Sequence, residues 1–517
     1  MKIQIIKQKD TWLLLSLLVI TSFVIRIHFS SFTVPLTLDA LEFFLISNAI
    51  NNEGYFPVGY TQTNIGWSTF LSFFLNFKEL TMIDLMNIQK ILSISISSLT
   101  VIPIFFLIKK FFKDKIAIFS STLFIFDPKI IVNSTLGIAD SLYIILIILI
   151  LLFLYVKNQK FVFVSYMLVA IISFVRYEGL LLIIPVIIGH WIISHNKTDY
   201  KKNLILGIFV FLLIFIPYDF VNFQVTDIDA VDRTIVSSQY FWRGQFINET
   251  VINNQNDYDD RYFSSEKNNL VVFIENSISG FIKFLSWGLI PNFFIFFIIA
   301  IVVFKKKISK SKIIFAIFIS FISIPALYGY GRGFEENRYI LFLLPVLTIF
   351  SSIGAEYLYK NRKKWIFPVV FFSILIFSFI FVDNGKKDWE YENDLFNASL
   401  KITKIASGVN DFEGNRYIKT AEMYNNWPNL EYIPKNNFGK SDTIIKKFET
   451  RYNESISEYI SKNNKLGLSH ILVFQKDSHP YFQDVYNNEK NYPYLEKIFD
   501  SEIENIKTKY KIFKIIN

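Results

Sequence analysis

Two carboxylates near the start of the chain are well suited to acid–base chemistry. Asp39 and Glu42 lie in the segment Leu38-Asp-Ala-Leu-Glu42, soon after the first long apolar run. On a helix, residues three apart share a face, so both carboxylates could point into one pocket and accept a proton there. The alternative is that Asp39 complements the dipole of a helix start and Glu42 faces water.

Two further groups of charges contain arginine. Arg176 and Glu178 interrupt an apolar hairpin, and Arg332, Glu335 and Arg338 follow a glycine-rich segment. Charges this close to hydrocarbon are costly unless they are paired or used. Arginine offers planar donors to phosphate oxygens, and glycine allows backbone to approach a ligand. A surface ion pair for the first group and snorkelling at a helix start for the second are the alternatives.

Three other charged residues also lie at the ends of apolar runs. Asp127 and Asp140 flank a short loop between apolar runs, and Lys90 lies at the start of another run. Asp140 opens a predicted helix, so capping is the simpler interpretation of this residue.

The apolar runs that separate these charges predict an all-α polytopic membrane protein with about eleven transmembrane helices. A run of about 20 apolar residues crosses a hydrocarbon core about 30 Å thick, and 52% of the 517 residues are hydrophobic. The spans are expected near residues 11–30, 86–108, 116–126, 138–156, 161–175, 180–194, 203–222, 281–304, 313–328, 339–359 and 365–382.

The positive-inside rule predicts the orientation. With a cytoplasmic N-terminus, the inner segments contain 21 Lys and Arg residues, whereas the short outer loops contain five. The net charge of +9 is therefore assigned to membrane topology and not to nucleic acid. We expect a multi-pass protein of the plasma membrane whose candidate site residues lie at the outer face.

The sequence predicts two domains. Residues 1–382 form the transmembrane module with outer loops 31–85 and 224–280, and residues 383–517 form an extracytoplasmic soluble α/β domain, because an odd number of spans places it outside. In the outer loop, the aromatic segment Gln239–Gly244 is expected to lie at the membrane interface.

Secondary structure in the soluble domain can be predicted at three points. Ser455–Lys462 is typical of a helix, Ile471–Phe474 of a short buried strand, and Tyr510–Ile516 of a terminal strand. Because the chain has no cysteine, this domain must be stable without disulfides.

Four motifs in order resemble the glycosyltransferase C superfamily. They are the acidic pair after the first span, the aspartate of the next outer loop, the Arg-x-Glu-Gly-Leu turn at Arg176, and the Arg-Tyr-x-x-x-x-x-Pro sequence at Arg338. More narrowly, residues 10–382 are similar to archaeal relatives of dolichyl-phosphate-mannose protein mannosyltransferases and of aminoarabinose transferases. In one departure, Asp39 and Glu42 are separated, whereas the family often has adjacent Asp-Glu.

The resemblance implies an inverting glycosyltransferase. It would move mannose or another hexose from a polyprenyl-phosphate or dolichyl-phosphate donor to a protein, glycan or lipid hydroxyl at the outer face. Cations would stabilise the phosphate leaving group, and a carboxylate would take the acceptor proton. The implied roles are catalysis for Asp39 and Glu42, phosphate binding for Arg176, Arg332, Arg338 and Lys90, and substrate orientation for Asp140, Glu178 and Glu335.

No cofactor is predicted. The five His residues are scattered and suggest no metal site, although oxygen ligands for a divalent cation stay open.

Two other functions stay open. A transporter or flippase of a lipid-linked or small polar substrate would normally place its site near the midplane, between related halves. A non-catalytic membrane scaffold would leave the charged groups without a role.

Overall fold

The computed structural model describes residues 8–54, 56, 64–76, 80–156, 158–226, 269–303, 310–334, 336–361, 365–384, 388–405, 409–410, 417–426, 445–446, 454–475, 479–504 and 508–516. The chain divides into two compact units. The first contains Met1–Ser30, Thr61–Phe70 and Lys90–Gly385, and the second contains Ser31–Tyr60, Leu71–Gln89 and Lys386–Asn517.

The first half of the chain is helical where it is described. Its helices are α1 (Gln8–Phe29), α2 (Leu38–Glu53), α3 (Gly66–Ser72), α4 (Met82–Leu99), α5 (Val101–Lys109), α6 (Asp114–Ile125), α7 (Pro128–Ser134), α8 (Asp140–Leu154), α9 (Phe163–Val175), α10 (Ile183–Ser194) and α11 (Tyr200–Thr226). Short 3-10 helices lie at Gln159–Phe161 and Tyr177–Leu182.

The second half continues with helices and adds the strands. Its elements are α12 (Asn269–Leu289), α13 (Phe294–Val303), α14 (Lys310–Gly331), α15 (Arg338–Leu341), α16 (Leu344–Asn361), α17 (Ile366–Asn384), α18 (Trp389–Ile405), β1 (Val409–Asn410), α19 (Ile418–Asn426), β2 (Ile445–Lys446), α20 (Ile456–Asn464), β3 (His470–Phe474), α21 (Pro480–Asn487), a 3-10 helix (Glu489–Asn491), β4 (Leu495–Asp500) and β5 (Tyr510–Ile515).

Several helices are long and apolar enough to cross a membrane. In the described part of the chain, six helical stretches meet this condition: Asp10–Phe29, Met82–Lys109, Tyr177–Ser194, Tyr200–Gln224, Lys310–Gly331 and the stretch that contains α17. Two bent helix pairs raise the number to as many as eight, and α8 and α9 are shorter apolar helices. The predicted polytopic helical class is confirmed, while the count of about eleven spans stays a prediction.

Prolines lie at two breaks between helices. The span expected at 116–126 corresponds to α6, and α7 follows it at an angle of 54°. Pro128 is the first residue of α7, and proline cannot continue a helix because it has no N–H group. The Asp127 carboxylate caps α7 by accepting the Lys129 N–H at 3.0 Å.

The second break lies within the span expected at 281–304, which is divided by a bend of 108° between α12 and α13. Pro291 lies in this bend. The expected outer loop 31–85 contains α2, α3 and the first residues of α4. Of the loop expected at 224–280, residues 227–268 lie outside the described residues, together with the predicted interfacial segment Gln239–Gly244.

The C-terminal region contains a five-stranded sheet in the order β2-β1-β3-β5-β4. The pairs of β1 with β2 and with β3 are parallel, and the pairs of β5 with β3 and with β4 are antiparallel. Strand β3 is central, and its Ile471, Leu472 and Val473 side chains are fully buried.

The three local predictions for this region are confirmed. Helix α20 begins after Ser455, whose hydroxyl accepts the Glu458 N–H in a capping box that includes the Glu458 side chain. Such reciprocal bonds satisfy two N–H groups at a helix start. Strands β3 and β5 match the two predicted strands to within one residue at each end.

Candidate functional site

A buried ion-pair cluster joins three of the predicted site residues. Asp140 begins α8 and is only 1% exposed. Arg176 Nη1 lies 3.1 Å from Asp140 Oδ1, and Arg176 Nη2 lies 3.2 Å from Glu178 Oε1. Asn133 Nδ2 donates to the other oxygen of Asp140 at 3.0 Å. We call these four side chains the Arg176 cluster.

The cluster corrects the simpler interpretation of Asp140 as a helix cap. The cap residue of α8 is Ala139, and no side chain caps this helix start. Both carboxylate oxygens of Asp140 instead bind side chains from other parts of the chain. Pairing of this kind offsets the large cost of burying the charges.

The local backbone explains the position of Arg176. Helix α9 ends at Val175, and Arg176 adopts an extended conformation with φ −151° and ψ 127°. The chain then turns into a 3-10 helix, in which the Gly179 N–H donates to the Arg176 carbonyl at 2.8 Å. The turn therefore places the side chains of Arg176 and Glu178 side by side.

Two residues of the 64–67 segment contact this turn and a third contacts the loop before α8, and the sequence indicated none of them. Asn64 Oδ1 accepts the Tyr177 N–H at 3.0 Å. Gly66 lies so close to Phe174 that an added Cβ would be 2.6 Å from its carbonyl carbon and oxygen. The buried Trp67 donates from Nε1 to the Gly137 carbonyl at 3.1 Å.

Aromatic rings surround the Arg176 guanidinium. Its central carbon lies 5.0 Å from the ring centroid of Phe342, 5.9 Å from that of Tyr339 and 6.0 Å from that of Tyr143. Arg338 lies 5.7 Å from the same Tyr339 ring, and its Nε pairs with Glu336. Tyr339 thus connects two of the predicted phosphate-binding arginines through cation–π contacts.

The cluster includes two buried polar atoms whose hydrogen-bonding capacity is unused. Within the described residues, Arg176 Nε and Glu178 Oε2 have no hydrogen-bond partner. Buried polar groups of native proteins are almost always satisfied, and leaving one unpaired is costly. A donor and an acceptor on two paired side chains could bind a hydroxyl group, which both donates and accepts.

The remaining predicted cations have different surroundings. Arg332 is exposed beyond the end of α14, and its Nη1 donates to the Tyr328 hydroxyl at 3.3 Å. Lys90 lies within α4 and is 5% exposed. Glu335 lies outside the described residues. Phosphate binding by Arg332 and Lys90 stays a prediction.

Asp39 and Glu42 lie on a helix, as the spacing argument assumed. Helix α2 begins at Leu38, so Asp39 is in its first turn and Glu42 lies one turn later, both half-buried. Glu42 interacts electrostatically with Lys419 of α19. Burial lowers the pKa of Lys419, and the negative charges of Glu42 and Glu422 oppose that shift. The catalytic roles stay predictions.

Metal ligands are not grouped in the part of the chain that the structure describes. There, no set of three or more His, Cys, Asp or Glu side chains could hold a metal ion.

Residues 81–219 match the family described as dolichyl-phosphate-mannose-protein mannosyltransferase. No curated protein matches the sequence. The family match spans Asn133, Asp140, Arg176 and Glu178, which form the Arg176 cluster.

The fold is similar to that of an archaeal oligosaccharyltransferase. The apo structure of the Archaeoglobus fulgidus enzyme aligns with a TM-score of 0.56 at 12% identity, covering 94% of this chain and 71% of that chain. A structure of the same enzyme with an inhibitory peptide and a dolichol-phosphate aligns with a TM-score of 0.51 at 10% identity, covering 89% and 69%. ArnT from Cupriavidus metallidurans, bound to undecaprenyl phosphate, aligns at 10% identity over 96% and 97%, with a TM-score of 0.47 from which we draw no conclusion.

Proposed function

We propose that this membrane protein, which has the glycosyltransferase C fold predicted from its sequence, transfers a sugar from a polyprenyl-phosphate donor to the hydroxyl group of an acceptor. The family match to dolichyl-phosphate-mannose-protein mannosyltransferases supports a lipid-phosphate donor and favours mannose or another hexose. Dolichol-phosphate and a peptide in the complex of the similar archaeal enzyme support a lipid-phosphate donor and a protein acceptor. A glycan or lipid acceptor fits the same chemistry.

The observation that carries this proposal is the pair of unused polar atoms in the Arg176 cluster. Arg176 Nε can donate to a sugar hydroxyl and Glu178 Oε2 can accept from it, so one hydroxyl could satisfy both atoms. Asp140 pairs with Nη1 of the same guanidinium. In this proposal Glu178 and Asp140 orient the substrate, as the sequence resemblance implied, with Asp140 acting through Arg176.

The two carboxylates beside Arg176 make this arginine a poorer binding site for phosphate than the other arginines. Arg176 faces the two carboxylates of Asp140 and Glu178, so its positive charge is already balanced. Arg338 faces Glu336 and is less buried, and Arg332 is exposed. We therefore assign the stabilisation of the departing phosphate mainly to Arg338 and Arg332, while the Arg176 Nε donor binds the sugar hydroxyl.

The proposed reaction is a direct displacement. The acceptor oxygen forms a bond to the anomeric carbon while the bond from that carbon to the phosphate oxygen breaks, and the lipid phosphate leaves with the electron pair. Asp39 takes the acceptor proton as general base. Attack from the side opposite the phosphate inverts the anomeric centre. We place this reaction at the outer face of the membrane, as the distribution of Lys and Arg predicts.

The deciding experiment measures transfer from a panel of radiolabelled polyprenyl-phosphate sugars in membranes with matched protein levels. Wild type should transfer one of the sugars, and Asp39→Asn should lower transfer by about 10²- to 10⁴-fold, the usual contribution of a general base. Asp84→Asn is the matched control, because Asp84 is also an aspartate in the first turn of a helix. It should retain transfer. Normal transfer by Asp39→Asn would exclude Asp39 as the base.

The phosphate assignment has its own test. Arg338→Gln should raise the donor KM, whereas Arg338→Lys should recover part of the loss, because lysine keeps the charge but not the planar donors. Lys360→Gln is the control, since Lys360 pairs with Glu356 on the exposed side of α16. An unchanged donor KM in Arg338→Gln would exclude this residue from the phosphate site. Solute uptake by vesicles without any sugar transfer would favour the transporter function instead.

A further inference from the structure

The start of α2 adopts a strained backbone conformation immediately before the proposed base. Leu38 has φ 52°, in the left-handed region that only glycine adopts without cost, and it is the one non-glycine residue with positive φ in the described part of the chain. Such strain persists only where surrounding contacts impose it, and it is frequent at functional sites. The contacts around Leu38 therefore indicate what holds Asp39 in place.

Side chains bind the backbone on both sides of Leu38. Thr420 Oγ1 of α19 donates to the Leu36 carbonyl at 2.9 Å, and this bond is buried. On the other side, Gln89 Nε2 of α4 donates to the Ala40 carbonyl at 2.9 Å. The strained residue is thus fixed from one direction by the C-terminal region, residues 386–517, and from the other by α4.

Apolar packing makes the contact from α19 rigid. Val34 lies in one buried cluster with Phe396 of α18 and with Tyr417 and Ala421. The Thr420 side chain is completely buried, and the Tyr417 hydroxyl donates to Glu392 of α18. Helices α18 and α19 therefore form a packed support under the 31–37 loop that leads into α2.

A charge interaction also links α19 to α2. Lys419 precedes Thr420 on α19, and its charge interacts with Glu42, which lies one turn after Asp39 on α2. Lys419 also interacts with Glu422 of its own helix.

We propose that α19 positions the Asp39 carboxylate for catalysis, and that Thr420 is a positioning residue that acts through the start of α2. This inference rests on the proposed function of Asp39. It gives the C-terminal region a role in the chemical step, beyond any contribution to acceptor binding.

The first experiment tests whether Thr420 holds the backbone at the start of α2, and it does not depend on sugar transfer. Amide hydrogen exchange of residues 34–42 in the full-length protein should accelerate in Thr420→Val, because the Leu36 carbonyl loses its partner while side-chain size is kept. Thr420→Ser keeps the hydroxyl and should restore slow exchange. Thr348→Val is the control, since its buried hydroxyl binds the Leu344 carbonyl of its own helix. Equal exchange in Thr420→Val and wild type would overturn the proposal.

The second experiment measures catalysis by the same variants. Thr420→Val should lower kcat by about 10- to 100-fold, since a misplacement of about 1 Å can cost a factor of about 10². The donor KM and the thermal midpoint should stay near wild type, which a merely structural role would not predict. Thr420→Ser should recover kcat. An unchanged kcat in Thr420→Val would overturn the positioning role.

If wild type transfers no sugar, the proposed function fails, and hydrogen exchange alone then decides whether α19 holds α2.

Discussion

Asp140 and Asp39 show the same local pattern and have different surroundings in the structure. Each is an aspartate in the first turn of a helix, α8 or α2, and neither helix has a side-chain cap at its start. Asp140 is buried and bound by Asn133 and Arg176. Asp39 is half-buried and follows a strained residue. The pattern around an acid therefore does not reveal its environment.

This contrast separates two uses of a carboxylate. A buried carboxylate needs a partner, so its loss leaves an opposite charge unpaired in the interior. A half-exposed carboxylate keeps contact with water and can gain or lose a proton at modest cost. We therefore expect Asp140 to contribute mainly to stability and Asp39 mainly to activity.

The largest expected effect is the loss of stability in Asp140→Ala. Removing one partner of a buried pair typically costs about 3–5 kcal/mol, and Arg176 would keep only Glu178. Asp39→Ala should lower the free energy of unfolding by less than this, because Asp39 is only half-buried. Unfolding of the purified variants in detergent, by heat or by denaturant, measures both changes in the free energy of unfolding.

A surface pair provides the reference for this comparison. Asp114→Ala removes the exposed pair with Lys109 at 3.1 Å, and such pairs contribute about 0–1 kcal/mol. If Asp140→Ala were no more destabilising than Asp114→Ala, the Arg176 cluster would not be a stabilising network.

The fold was largely predictable because its signals are local or compositional. Long apolar runs identify the membrane helices, and the capping pattern at Ser455 and the alternation in β5 identify elements of the C-terminal region. The bends at Pro128 and Pro291 could have been predicted from the same sequence, since proline interrupts a helix. Helices α2 and α3 were hidden in a segment expected to be a loop.

The candidate site was only partly predictable. The sequence indicated Asp140, Arg176 and Glu178, because charges are rare between apolar runs. It did not indicate Asn133, which binds Asp140 from seven residues away, or Asn64, which binds the Tyr177 N–H from 113 residues away. Such contacts depend on how distant helices pack, and no local pattern encodes them.

A smaller effect is expected from adding one methyl group under the Arg176 turn. In Gly66→Ala the new Cβ would meet the Phe174 backbone at 2.6 Å, and backbone cannot move aside as a flexible side chain can. Overpacking of this kind costs about 1–3 kcal/mol. Because the displaced turn includes Arg176, sugar transfer should fall as well. Unfolding and transfer measured on one preparation test both parts.

Thr69→Ala in the same helix is the control for this substitution. The Thr69 hydroxyl binds the Ile65 carbonyl one turn earlier and Thr69→Ala adds no atoms, so the substitution should leave transfer near wild type. Transfer by Gly66→Ala equal to that of Thr69→Ala would show that the turn tolerates displacement.

The smallest changes in the free energy of unfolding are expected when the residue before each aspartate, Leu38 or Ala139, is replaced by glycine. Leu38 is 68% exposed and has φ 52°, so Leu38→Gly removes a strain of about 1–2 kcal/mol. Glycine also adds unfolded-state freedom worth about 0.4–1 kcal/mol, which leaves a net gain in stability of up to about 1.6 kcal/mol. Ala139 is buried and has φ −65°, so Ala139→Gly relieves no strain and should destabilise by about 1 kcal/mol. Opposite signs in the two unfolding measurements would establish that strain distinguishes the two helix starts, whereas a loss of stability in both variants would show that the conformation of Leu38 has no such cost.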